Sequence, residues 1–508
     1  VFVAVVLGVI FVVWRKLPAG FLPEEDQGYV MVMVSTPEAS SLQVTRQAMA
    51  DADAVIRTLP EVASTSFAAG FNMMAGIAST SSGIIFVKLV DYSDRRLSAM
   101  QIAQRLTGEL YVAVPGAECY AFIPPSIPGL GVTSGVSVEV QDLEGRGTAY
   151  LMENAGRLMD SLRKNPAIAS VTTQFDAGVP QRRLRIDKQQ ALAAGVDLGT
   201  LYGELTTLLG GAYINNFTRF GKLYQTYIQA APDYRLDRRS LDSYYVTSAS
   251  GESVPVASLI DVADTVGVEY VSQFNLYRSV SLTVTPAARA STTTVMREIT
   301  ATAAETLPDD IGTAWSGTSY QEANASKTGG LVYLLALVFV FLALAALYES
   351  WGLPLAILMS VPVAVLGAVL FIGGSHLLDA FFVNDVYMQI SLVMLIGLAA
   401  KNAILVVEYA DRLFNEKGLS LMDAAIGAAK LRVRPIIMTA FAFILGVMPL
   451  IFASGVYATA RNIMGVALVG GMLFATLLGI FVYPALYYFV GRIGGFERRR
   501  ERKKQEQS

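Results

Sequence analysis

The sequence predicts an α+β membrane protein: a transmembrane helix bundle, made of the end of one span and five full spans, joined to a large extramembrane region in which a β-α-β-β-α-β unit is used twice. Three observations predict it. Five apolar runs follow Ala325, each near the twenty or so residues that cross a bilayer. Before them, period-two alternation and helical periodicity follow one another in the same order twice. The third apolar run holds Lys401 and Asn402 at its middle, where a charge costs at least ~2.5 kcal/mol. Composition agrees, with 53% hydrophobic and 16% charged residues and a mean hydropathy of +0.46. A net charge of −3 argues against a nucleic-acid partner.

In chain order, residues 1–16 read as the C-terminal part of a transmembrane helix, too short to cross alone and not a signal peptide. The chain is therefore expected to be the second half of a larger membrane protein. A Pro- and acid-rich exit, Leu17 to Gln27, opens the first unit at 17–134. Its expected elements are strand Gly28–Thr36, helix Ser41–Leu59, strands Val62–Phe67 and Ile84–Leu89, helix Ser98–Val112 and strand Cys119–Ile123. Phe67 to Gly83, rich in Gly, Ala and Ser, reads as a long loop with aromatic and thioether side chains suited to promiscuous apolar binding. The second unit takes 135–178 and 273–318, interrupted by an inserted subdomain at 179–272 with a hairpin near Phe217–Ile228.

A five-helix bundle is expected at 325–491, with spans near Gly329–Leu347, Leu355–Gly373, Tyr387–Val407, Pro435–Phe452 and Ile463–Val490. Arg412, Lys417, Lys430, Arg432 and Arg434 separate the third and fourth of these, and 492–508 is a basic tail. The positive-inside rule puts that tail in the cytoplasm, and five crossings put the two units on the outer side.

Lys401 reads as part of an ion or proton relay. Seven residues, roughly 10 Å of helix rise, separate it from Glu408, too far to snorkel comfortably. Glu408 and Asp411 lie at the helix end and Asp385 at its other mouth, so the counter-charge of Lys401 is expected on helices beyond this chain. Gly465, Gly470 and Gly471 read as small-residue faces for those helices. The single cysteine, Cys119, excludes an intrachain disulfide, and with one histidine, His376, no metal-ligand cluster can be built.

The runs Gly397–Glu408 (GLAAKNAILVVE), Ala346–Trp351 (ALYESW), Leu431–Ala440 (LRVRPIIMTA) and Phe21–Gln27 (FLPEEDQ) together resemble the resistance–nodulation–division superfamily, in its hydrophobe/amphiphile multidrug efflux branch of acriflavine-resistance type. The resemblance runs the whole length and implies the C-terminal half of such a transporter. It implies that the two units are ferredoxin-like periplasmic porter subdomains, the insertion a docking subdomain forming half of a funnel, and the membrane the inner membrane of a Gram-negative bacterium. Implied relay residues are Lys401, Asn402, Arg432 and Thr439. Implied substrate contacts are Phe67, Phe71, Met73, Phe86, Tyr120 and Phe122, with Met73 standing where an aromatic is common. The implied activity is drug/proton antiport by a secondary active transporter, not an enzyme, with the proton-motive force in place of a cofactor. Implied partners are amphiphilic drugs, protons, membrane lipid, two further copies in a trimer, a periplasmic adaptor, an outer-membrane channel, and an N-terminal half bearing the aspartates that answer Lys401. Two alternatives stay open: a metal-exporting branch using methionines, at which Met73 and Met74 hint, and a membrane-anchored sensor.

Overall fold

The computed structural model describes residues 2–127, 129–131, 133–287, 290–379 and 381–495, with the backbone alone for 326–329. The basic run Arg498–Lys504 lies outside the described residues. Two compact units divide the chain: Val1–Phe175 with Val271–Ser508, and Asp176–Tyr270.

In the first unit, α1 (Phe2–Lys16) is an apolar helix ended by Arg15 and Lys16. A sheet follows, formed by β1 (Tyr29–Ser35), α2 (Leu42–Ile56), β2 (Val62–Asn72), β3 (Ile77–Leu89), α3 (Ala99–Ala113) and β4 (Glu118–Phe122). The strands lie in the order β2-β3-β1-β4, with every neighbour antiparallel. Period-two alternation sends Val30, Val32 and Val34 to one face, where they pack with Met49, Ile56, Ile102, Leu106 and Leu110 of α2 and α3. Each such side chain contributes about 1.5–3 kcal/mol when taken from water. Ser98 and Gln101 close a capping box at the start of α3.

The stretch from Phe67 to Gly83 is not a loop. β2 and β3 extend through it as a hairpin, leaving only Met73–Gly76 as a turn. Small residues hide the alternation that marks a strand. A register shift between Ala69 and Phe71 is accommodated by Gly70 at φ +89°, a conformation that side-chain-bearing residues rarely adopt.

A second sheet repeats the plan with β5 (Val136–Asp142), α4 (Thr148–Leu162) and β6 (Ile168–Thr172), and resumes after residue 270. The Asp176–Tyr270 unit carries β7 (Val179–Ile186), α5 (Lys188–Ala193), α6 (Leu198–Leu205), the hairpin β8 (Ala212–Arg219)–β9 (Lys222–Ile228), the short pair β10 (Tyr245–Thr247)–β11 (Ser253–Pro255), and β12 (Ile260–Gly267), which pairs with β7. Ala191, Leu201, Val246 and Leu259 centre its core. The second sheet is completed by β13 (Ser272–Phe274), β14 (Tyr277–Pro286), α7 (Thr292–Thr306) and β15 (Ile311–Trp315), in the order β13-β14-β5-β15 with β6 also on β14. Val136, Val138 and Val140 fill the places that Val30, Val32 and Val34 fill in the first sheet, again fully buried.

The membrane bundle follows: α8 (Gly317–Tyr348), α9 (Gly352–Leu358), α10 (Val361–His376), α11 (Val386–Asn415), α12 (Leu421–Ile451), α13 (Ala458–Leu477) and α14 (Gly479–Ile493). Five stretches among the described residues are long and apolar enough to cross a membrane: Gly330–Tyr348, Gly352–His376, Val386–Asn415, Leu421–Ile451 and Ala458–Leu477. The fifth apolar run, expected to be continuous to Val490, is divided at Leu478. There the Tyr483 hydroxyl donates to the Ala475 carbonyl at 2.7 Å, and its ring lies where any Cβ on Gly479 would have to go.

The glycines expected to face other helices instead face inward. A Cβ on Gly470 would meet Phe371 at 2.5 Å, one on Gly471 would meet Leu395 at 2.3 Å, and one on Gly465 would meet the backbone of Ile451 at 2.8 Å. They bring α13 close to α10, α11 and α12 of the same chain, a use of small residues that spacing alone does not separate from an outward one.

Candidate functional site

Lys401 and Asn402 are adjacent on α11 and therefore point about 100° apart. Asn402 is buried, beside Tyr483 of α14, with its amide nitrogen unpartnered. Lys401 is exposed, on a face of α11 that this chain leaves uncovered. Among the described residues it takes part in no ion pair.

Arg432 sits on α12, half-buried, with its guanidinium 4.6 Å from the ring centre of Tyr409 on α11, a cation–π seat. α11 and α12 are joined by a short loop and run antiparallel. Tyr409 lies seven residues beyond Asn402, and Thr439 lies seven beyond Arg432. Equal steps from the Tyr409–Arg432 contact therefore bring Thr439 to the level of Asn402, roughly 10 Å up both helices. Thr439 is exposed and its hydroxyl donates to the Ile436 carbonyl at 3.0 Å. The four relay candidates thus share two neighbouring helices, with one charge at mid-span and another two turns away.

The substrate candidates gather on the first sheet, but not all on one face. Directly opposed residues of an antiparallel pair share a face. Met31 is opposed to Phe86 and Phe122, and Met33 to Ile84 and Tyr120. All six therefore stand on the face away from α2 and α3. Tyr120 and Phe122 stack with ring centres 5.9 Å apart, and Met73 and Met74 pack from the hairpin turn onto Met31, Met33, Ile84 and Phe122. Phe67 is opposed to Ile85, a helix-side core residue, so it lies on the other face. Phe71 lies beyond the bulge, opposed to Ala78. Phe67, Phe71 and Phe86 remain exposed.

A cavity of about 390 Å³ opens on the same face, lined by Gln27, Tyr29, Ser64, Ser66, Phe86 and Lys88 among others. It adjoins the methionine–aromatic cluster through Tyr29 and the Phe86–Met31 pair. Burial pushes the Tyr120 hydroxyl above its usual range. The exit segment fixes the edge of this face. Asp26 accepts from Arg95 at 2.6 Å, Ala99 N at 2.8 Å and Gly28 N at 3.0 Å. Burial alone would raise its carboxyl, but the Arg95 guanidinium and these amides hold it below the usual range. Gln27 donates to the Pro124 and Pro125 carbonyls that follow β4.

Sequence reading missed Tyr409, Met31, Met33, Tyr29 and Lys88. Strand parity gives a signal for the last four, since each alternates with a helix-side valine or isoleucine on its own strand. Tyr409 had none until the hairpin of α11 and α12 set its partner.

A family model described as AcrB/AcrD/AcrF matches residues 1–491. A toluene efflux pump membrane transporter, TtgB of Pseudomonas putida, is 36% identical over 494 residues, covering 97% of this chain and 46% of its own length. The multidrug/solvent efflux pump membrane transporter MepB of Pseudomonas putida is also 36% identical, with the same coverage. The multidrug resistance protein MdtF of Escherichia coli is 33% identical over 485 residues, covering 94% of this chain and 46% of itself. The chain spans about half the length of the curated relatives it matches.

Proposed function

The chain belongs to the AcrB/AcrD/AcrF family of efflux transporters, and from that premise we propose that it forms the C-terminal half of a proton-driven exporter of hydrophobic and amphiphilic compounds. The observation that carries this reading is Lys401, a cation at the middle of a span on a face its own chain leaves uncovered. Its counter-charges are then aspartates on the N-terminal half, and proton binding there rearranges the pairing. A charge moved through 100 mV is worth about 2.3 kcal/mol, so one or two protons per cycle supply several kcal/mol to a change of conformation. Asn402, Arg432 and Thr439 line the same route.

The two sheets are ferredoxin-like porter subdomains in the periplasm, and 179–272 is the docking subdomain that meets a periplasmic adaptor and an outer-membrane channel. The protein is a homotrimer of the Gram-negative inner membrane with a cytoplasmic C-terminus. Compounds leaving the membrane or periplasm rest on the face made by Met31, Met33, Phe86, Tyr120 and Phe122, with Phe67, Phe71 and Met73 at the hairpin. Deformable thioethers and flat rings suit varied apolar guests. The relatives are named for toluene, solvent and multidrug efflux, which fits such guests.

One observation favours a second reading. Met31, Met33, Met73 and Met74 lie in one cluster, and thioethers also bind soft cations. Export of copper(I) or silver(I), with loss of metal resistance in a Met33→Leu variant, would favour it.

The test is Lys401→Ala in the transporter expressed from its natural gene. Drug export measured as accumulation of a fluorescent substrate should be abolished at normal expression and normal trimer content. Undiminished export by that variant would sink the relay.

A further inference from the structure

α11 and α13 both begin beneath the exit segment that leads to β1. Asp385 is fully buried, and its Oδ1 accepts from Met388 N at 2.8 Å, capping α11. Its Oδ2 is buried and meets no donor. Asn384 beside it is buried too, and its Oδ1 also lacks a donor. The backbone here is clamped to the exit segment: Asn384 N donates to Pro18 O at 2.9 Å, Gly20 N to Asn384 O at 3.2 Å, and Val386 N to Phe21 O at 3.1 Å. From the same segment comes Glu25, only 3% exposed. Its carboxylate accepts from Ala460 N at 2.7 Å and Thr459 N at 3.2 Å, at the start of α13.

Each helix start is thus capped by a buried carboxylate, and among the described residues neither carboxylate takes part in an ion pair. The titratable and charged groups around them are few. Tyr387, on α11 itself, flanks both. Arg461 of α13 turns its guanidinium to the carbonyls of Val456 and Tyr457. His376 ends α10. Burial pushes the Asp385 carboxyl up to about 7 against the backbone amides of Met388, Asp385 and Tyr387, and the charge of Glu25 adds a smaller push in the same direction. A buried acceptor with no donor costs about 1–3 kcal/mol, and a proton on Oδ2 would relieve Asp385 of a charged oxygen that meets no donor.

We propose that Asp385 is a proton-binding site separate from Lys401, with its charge set against that of Glu25 across the starts of α11 and α13. The two sites are sixteen residues apart on one helix, roughly 24 Å. Protonation removes the repulsion between two buried carboxylates and turns Oδ2 from acceptor into donor. The effect falls on the joint between the helix that carries Lys401 and the segment that runs into the central strand of the first sheet. Only the use of that proton in export rests on the function proposed above.

The experiment is an infrared titration of the transporter expressed from its natural gene and held in lipid nanodiscs, with Asp385→Asn as reference because asparagine keeps the helix cap. The difference spectrum should contain a protonated-carboxyl band that disappears with a midpoint near 7 and persists in Lys401→Ala. The midpoint should fall in Glu25→Gln, where the repelling charge is gone. Absence of the band above the ordinary carboxylate range overturns the proposal, as does a midpoint unmoved by Glu25→Gln. Loss of the band on adding sodium at constant pH also overturns it, by making this a sodium site. Should Glu25→Gln fail to fold, the wild-type and Asp385→Asn spectra decide alone. Export that proves independent of the proton gradient would defeat the mechanism proposed above and leave the titration standing. Loss of the titration with proton-driven export intact would defeat this inference alone.

Discussion

The two sheets have the same strand order and the same inward valines, yet their other faces differ in kind. On the first, Met31, Met33, Ile84, Phe86, Tyr120 and Phe122 stand together. On the second, the matching positions of β5 and β14 are Ser137, Glu139, Gln141, Ser279, Ser281 and Thr283. There Glu139 accepts from the Ser316 hydroxyl at 3.0 Å and Gln141 donates to the Phe274 carbonyl at 2.8 Å. One parity of each strand therefore holds the fold, and the other is free to differ. The outer face of the first sheet is rich in methionine and aromatic side chains, and that of the second is a polar, hydrogen-bonded seam.

The largest test of that contrast concerns what anchors each sheet. Arg95 has a fully buried side chain against Asp26, whereas Arg146 is 52% exposed against Asp310. Arg95→Ala leaves a carboxylate without its partner and should destabilise the protein by about 3–5 kcal/mol. Arg146→Ala should cost less, because its guanidinium is half in water and Asp310 keeps the hydroxyl of Tyr150 as a donor. Thermal unfolding in detergent gives both, and equal losses would mean the two anchors do not differ as drawn.

Next in size is ligand binding. Phe86→Ala should weaken binding of an apolar fluorescent dye about tenfold, the loss expected from truncating one aromatic anchor. Ser281→Ala on the second sheet should leave it unchanged. Equal effects of the two substitutions on dye polarisation would erase the division of labour.

A smaller and less uniform effect is expected at the hairpin. Phe71→Ala should alter export of some compounds several-fold and spare others, because guests use different parts of a deformable surface. A uniform loss across compounds, together with a lower unfolding temperature, would make Phe71 a packing residue.

The smallest effect is with pH. Asp26 is held below its usual range in the folded state, so its contribution is present above the unfolded value of 3.8 and is lost as pH falls through the lowered one. Acid unfolding should therefore begin at higher pH in Asp26→Asn than in wild type. Coincident acid-unfolding curves would remove the Arg95 anchor from the account.

Much of this could be read in the sequence. Val30, Val32 and Val34 recur at every second position, as the side chains on one face of a strand do. The spans are long apolar runs, and Lys401 is conspicuous because charge is costly there. What stayed hidden depends on partners distant in sequence. The strands through Gly70 and Gly83 lack the bulky alternation that marks them, and only their pairing with each other makes them strands. Gly470 gives no sign of whether the helix it admits belongs to its own chain. The division of Phe67 from Phe86 is a matter of register, which no single strand carries. Asp385 could be placed at the mouth of α11 by its position, but its lone oxygen appears only when the exit segment folds over it.

The join between β15 and α8 allows almost no slack. Strand and helix are separated by one residue, Ser316, whose amide donates to Ser137 of the central strand, while Ser319 in the first turn accepts from Ser137 N at 3.0 Å. The helix then continues for 32 residues, roughly 48 Å, and its apolar stretch begins only at Gly330. About 20 Å of stiff rod therefore stands between the second sheet and the bilayer. A rod pinned at its head transmits tilt and axial shift over its whole length, where a flexible tether would absorb both. Any tilt of the first span becomes a displacement of the polar seam, and the sheet with the polar outer face is the one geared to the membrane.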